Sequence, residues 1–242
     1  PIVAVTVLYH VGSKNEDTSR TGFAHFFEHL LFEGTENIAR GEYDTYVINA
    51  GGALNANTTQ DRTFYYELLP SNELALGLWL ESERMLHANI LQEGVDTQNE
   101  VVKEEKRQRI DNQPYASFAT EMFSRAFSEH PYKWQPIGSM DHLNSAQLSE
   151  FMDFYKKFYI PNNATLSIAG DIDFAQAKEL IATYFADIPR GAEVMQPEVI
   201  EPELTSEINA VVFDNIQLPA TFIGYRVPGE TSQDAYALSM IT

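Results

Sequence analysis

Residues 23–32, Phe-Ala-His-Phe-Phe-Glu-His-Leu-Leu-Phe, constrain the fold more than any other segment. Phe23, Ala24, Phe26, Phe27, Leu30, Leu31 and Phe32 make a helix here apolar nearly all round, and such a helix is buried. It nevertheless carries His25, Glu28 and His29. At spacings i, i+3 and i+4 these three share one helical face. Burying two imidazoles and a carboxyl without partners costs several kcal/mol, on the order of 2–7 per group. A metal ion accounts for that cost. His-x-x-Glu-His arises by chance in about one chain in a hundred of this composition, so the buried setting carries more weight than the motif alone.

Two imidazoles one turn apart can reach a single ion. Catalytic zinc takes three protein ligands and leaves a fourth position to water. Glu28 would stand beside that water as a general base. Cysteine is absent, so thiolate ligation and disulfides are excluded. His10, His87, His130 and His142 sit at a strand end, in an amphipathic helix, before a proline and beside an aspartate, where structural roles suffice. Among the carboxylates, the acidic helix expected over 96–110 stands out. Gln98, Val101, Val102, Glu105 and Arg109 form one stripe on it. Glu105 falls on that apolar stripe, whereas most of the helix reads as a solvated charge run.

The 242-residue chain has 16 basic and 35 acidic residues and a net charge of −19. That balance argues against nucleic-acid binding, which needs clustered Lys and Arg, and suits attraction of basic peptides. No apolar run approaches the roughly 20 residues of a membrane helix.

The periodicities predict strands at Ile2 to Tyr9, Ala53 to Thr58, Thr63 to Leu69 and Ala164 to Ala169. They predict helices at 23–32, 42–49, from a Ser71 cap onward, at 96–110, 115–127, from Ser145 to Phe158, and at 174–185. The expected fold class is α+β: a mixed, largely antiparallel sheet with helices packed on it. Residues 1–190 form the expected catalytic domain, its first strand preceding the chain. Residues 191–205, with Pro197 and Pro202, read as a linker. Residues 206–242 read as the truncated start of a second αβ domain, with strands at 209–213 and 221–227.

The segment His25-Phe26-Phe27-Glu28-His29-Leu30-Leu31-Phe32-Glu33-Gly34-Thr35 resembles the inverted-zincin metallopeptidases of the pitrilysin, insulin-degrading enzyme and mitochondrial processing peptidase family. Gly51-Gly52-Ala53-Leu54-Asn55-Ala56-Asn57-Thr58 and His130-Pro131-Tyr132 with Pro136-Ile137-Gly138 extend the resemblance over the whole chain. That family's third ligand lies about 76 residues beyond the second histidine, which lands on Glu105. The resemblance implies one Zn²⁺ per chain held by His25, His29 and Glu105, with Glu28 as base. It implies that Asn55 and Ala56 lie on an edge strand to which peptide adds. It also implies a chamber completed by a second lobe or a partner subunit of the same family. The family often has Glu where this chain has Gln98, which could orient a ligand but supplies no charge. The resulting expectation is a zinc endopeptidase acting on short or unfolded peptides. The alternative is a silent, substrate-holding subunit. For localisation, the sequence leans only toward the periplasm or another extracytoplasmic compartment.

Overall fold

The computed structural model describes residues 1–241. β1 (Ile2–Tyr9) has Val3, Val5, Val7 and Tyr9 fully buried on one face. Alternating β-branched residues suit this half-covered pleat. β2 (Ala53–Thr58) and β3 (Thr63–Pro70) form a hairpin, and β4 (Ala164–Gly170) follows much later. Among the described residues the order is β2-β3-β1-β4, with every neighbouring pair antiparallel. β2 is therefore an edge strand.

α1 (Phe23–Leu30) is the predicted metal helix. Phe23, Phe26, Phe27 and Leu30 enter the core beside Tyr9, Tyr65, Phe151 and Tyr159. Each such side chain contributes about 1.5–3 kcal/mol on burial. The Tyr65 hydroxyl donates to the Phe27 carbonyl at 3.1 Å, fixing α1 against β3. α2 (Tyr43–Asn49), α3 (Leu74–Leu86) and α8 (Phe174–Phe185) cover a second cluster with Val3, Val5, Leu69 and Leu78 at its centre. α4 (Gln92–Lys106) lies against α1. α5 (Phe118–Ala126), α6 (Met140–Ser145), α7 (Leu148–Phe158) and α9 (Asp234–Ser239) complete the helices described.

The structure moves several expected boundaries. α4 begins four residues before Asp96, because Val95 is buried and anchors the first turn. Its end widens into a π-helical turn at Arg107–Asp111. Tyr115 has φ +67, in the left-handed region that excludes it from a helix, so α5 starts only at Phe118. Ser71 does not cap α3. It opens a 3₁₀ turn, and its hydroxyl bonds Asp171 at 3.3 Å. Ser145 ends α6 instead of opening α7, whose start is set by the Gln147 N–H donating to the Glu150 carboxylate at 2.8 Å.

The strands expected at 209–213 and 221–227 are not formed. These segments find no strand to pair with, and a ladder is what makes a strand. Their side chains dock singly instead. Phe222 stacks on Phe118, the Tyr115 hydroxyl donates to the Leu218 carbonyl at 2.7 Å, and Arg226 pairs with Glu201. Val211, Phe213, Ile223 and Tyr225 stay exposed.

Candidate metal centre

α1 and α4 lie side by side and bring His25, His29 and Glu105 into one cluster. Nε2 of His25 stands 3.4 Å from Glu105 Oε2, and Nε2 of His29 stands 3.2 Å from the same oxygen. Donor atoms about 2 Å from one ion at tetrahedral angles stand about 3.3 Å apart, so these separations fit zinc. Oε2 of Glu105 and Nδ1 of His25 are buried without a hydrogen-bond partner. Burial, with the neighbouring His29, pushes the His25 imidazole down to about 4, although Glu105 acts the other way. His25 is therefore neutral near pH 7, the form that ligates a metal. The close approach of His29, then of His25 and Arg109, holds the Glu105 carboxyl below its ordinary value, against partial burial. Two imidazole nitrogens converge on one carboxylate oxygen, an arrangement that a cation between them would satisfy. The donor set fits zinc on chemistry as well as spacing.

Glu28 lies on the same face of α1. Burial raises its carboxyl above the ordinary value, opposed by a hydrogen bond from the Thr58 hydroxyl to Oε2 at 2.6 Å. Thr58 belongs to a stretch that the sequence marks, but its role is invisible without the β2–α1 packing. Arg109, on the same predicted stripe, reaches Glu105 Oε1 at 2.6 Å across the π-helical turn. A second unforeseen contact is Glu16, whose carboxyl accepts from the N–H groups of Gly22 and Ala24 at the start of α1.

Gln98 does not join the cluster. Its amide donates to Glu33 Oε1, and Glu33 is in turn paired with Arg40. Gln98 and Glu105 share a helical face, but seven residues separate them by about 10 Å along the axis. Gln98 therefore faces the end of α1, beyond the histidines.

Asn55 and Ala56 lie on β2 as expected. In an antiparallel ladder, pairs that exchange main-chain hydrogen bonds alternate with pairs that do not. The Thr59 N–H donates to the Arg62 carbonyl at 2.9 Å, which makes this a bonded pair. The register then makes Asn57–Phe64 and Asn55–Tyr66 bonded as well. Leu54, Ala56 and Thr58 accordingly turn their N–H and C=O groups to the open edge. The Ala56 N–H is met there by Asn55 Oδ1 at 2.8 Å.

Comparison with known proteins bears on the family of the chain. Residues 1–137 match the family described as insulinase, peptidase family M16. The chain belongs to the M16 peptidase family. Residues 145–242 match the M16 domain described as inactive. Over 244 aligned residues the chain is 34% identical to the zinc protease PqqE of Helicobacter pylori, covering all of this chain and 55% of that protein. The crystal structure of a protease from Helicobacter pylori superposes with a TM-score of 0.79 at 35% identity, over 83% of this chain and 49% of that one. The first half of the periplasmic protease PqqL from Escherichia coli superposes with a TM-score of 0.72 at 28% identity, over 81% of this chain and 44% of that one. This M16 chain spans about half the length of the curated relatives it matches. No described helix is long and apolar enough to cross a membrane.

Proposed function

We propose that this M16 chain is the zinc-binding half of an endopeptidase that hydrolyses peptide bonds in short or unfolded peptides. The observation that carries the reading is the convergence of His25, His29 and Glu105 beside Glu28, next to an open sheet edge. His25, His29 and Glu105 would hold one zinc. When bound, zinc supplies Lewis acidity that polarises a peptide carbonyl and acidifies water. Glu28, its carboxyl raised by burial, takes the proton of the attacking water and can return it to the leaving amine. An extended peptide lies along β2, paired with the outward N–H and C=O groups of Leu54, Ala56 and Thr58. Asn55 and Ala56 are the proposed contact residues on that strand. A second M16 lobe or partner subunit completes the chamber, consistent with the half-length coverage. The likeness to a periplasmic protease supports action outside the cytoplasm. Residues 1–190 would form the catalytic domain, 191–205 a linker and 206–242 part of a second domain.

The experiment is metal content per chain, with peptide hydrolysis by the protein joined to its second lobe. About one zinc per chain, lost in Glu105→Gln, and hydrolysis abolished in Glu28→Gln are expected. Zinc-independent cleavage, or no cleavage with zinc bound, would overturn the reading. The latter outcome favours a silent substrate-holding subunit, for which the match of 145–242 to an inactive domain is the supporting observation.

A further inference from the structure

Thr58 ends β2, and its hydroxyl donates to Glu28 at 2.6 Å. It is the one side-chain hydrogen bond that Glu28 makes among the described residues. Two geometric facts meet in this residue. Its Oγ1 faces α1 and orients the proposed base. Its main-chain N–H and C=O, by the phase of the β2–β3 ladder, face the open edge. A strand added to β2 would therefore pair with the same residue that holds the base.

We propose that Thr58 is a positioning residue that aligns Glu28 and couples that alignment to peptide seated along β2. The proposal rests on the peptidase reading above. A carboxylate free at both oxygens samples several rotamers, whereas one held at Oε2 has its second oxygen fixed in direction. Pairing of peptide with Thr58 immobilises the main chain from which the hydroxyl projects. Binding along the strand is thus converted into order at the base, an interaction realised in the transition state more than in the ground state.

The test compares Thr58→Val, which keeps the shape and removes the donor, with Thr58→Ser, which keeps the donor. Both are made in the protein joined to its second lobe. Thr58→Val should lower kcat by about 10- to 100-fold, with KM, zinc content and thermal midpoint near those of the parent. Thr58→Ser should restore most of kcat. In the parent, peptides too short to pair with Thr58 should lose kcat more than affinity, and Thr58→Val should erase that difference. A crystal structure of the zinc-loaded Thr58→Val protein should show Glu28 in a different or mixed orientation. An unchanged kcat, a loss that tracks zinc content, or no rescue by serine would overturn the proposal. If the parent cleaves no peptide, the peptidase reading fails. The Glu28 orientation then decides the Thr58 proposal separately, and an unmoved carboxylate in Thr58→Val overturns it.

Discussion

Oε1 of Glu16 lies 2.8 Å from the main-chain nitrogen of Ala24, and this contact sets the first turn of α1. The other oxygen accepts from the Gly22 N–H at 2.9 Å and the Trp134 indole N–H at 3.2 Å. A carboxylate eight residues upstream thus caps α1 in place of an adjacent residue, where the N-cap is Gly22 and has no side chain to offer. Glu16→Ala leaves buried donors unmet and should cost about 2–3 kcal/mol. Zinc affinity should weaken with it, because His25 lies in that same first turn, next to Ala24. Urea midpoints and chelator competition measure the two effects, and an unchanged urea midpoint would refute the capping role.

Gly138 has φ +63 and lies against Gly22. A Cβ at position 138 would stand 2.2 Å from Gly22 N and 2.3 Å from its Cα. Gly138→Ala must push the loop off the start of α1, as well as adopting a left-handed backbone. A loss of about 3 kcal/mol or more is expected, judged against backbone strain and overpacking. Gly229→Ala is the control, since nothing lies within 4 Å of its added Cβ. Equal thermal midpoints for the two variants would show that the contact does not constrain the chain.

Arg84 is fully buried, with its guanidinium 3.9 Å from the Tyr65 ring centroid and 4.6 Å from those of Phe32 and Tyr43. Glu81 and Glu67 approach it at 3.2 and 3.4 Å. Two carboxyls share one cation, and burial followed by repulsion from Glu81 pushes the Glu67 carboxyl well above its ordinary value. The folded chain therefore holds a proton that the unfolded chain releases near the ordinary carboxyl pKa. Stability from this group is complete below that ordinary value and is lost as pH rises toward the folded value. Glu67→Gln should flatten this part of the stability–pH curve and raise the thermal midpoint at pH 8. Arg84→Met strands the remaining charge and should cost about 3–5 kcal/mol. A parent curve with no fall above pH 5 would contradict the shared-proton account.

Zinc held as proposed by His25, His29 and Glu105 would stabilise the folded chain by mass action. At free zinc one hundred times its Kd the gain is about 2.7 kcal/mol, or roughly 5–10 °C in Tm for a chain of this size. Chelation should remove that increment from the parent. Glu105→Gln and His29→Ala should show little of it at either zinc level. An equal chelator response in Glu105→Gln would mean that the ion is held elsewhere.

Much of the candidate cluster was legible in the sequence because helical spacing is short-range geometry. His25, Glu28 and His29 need only one helix to share a face, and Glu105 needed only the apolar stripe of α4 and the family spacing. Contacts between elements were not legible. Thr58 reaches Glu28 because β2 packs on α1, and no periodicity reports that. Gln98 shows the limit of reasoning by helical face alone: the angle matched, but the rise along the axis carried it to Glu33. The segments 209–213 and 221–227 carry β-branched and aromatic residues, but propensity cannot provide a pairing partner. Tyr115 failed as a helix start through one positive φ, which its side chain does not announce.

The Asn55–Ala56 contact has a consequence for self-association. An unpaired edge can template copies of the same strand into a growing sheet. On β2, Asn55 Oδ1 already occupies the Ala56 donor, so a stray strand must displace that bond before it gains its own. One hydrogen bond of this kind is worth about 1 kcal/mol net, a small barrier to a peptide that makes several such bonds. The same barrier recurs at every copy in a stack, where each newly exposed edge would have to be opened again. A side chain folded back on its neighbour can thus leave the strand open to a guest and still poor at nucleating fibres.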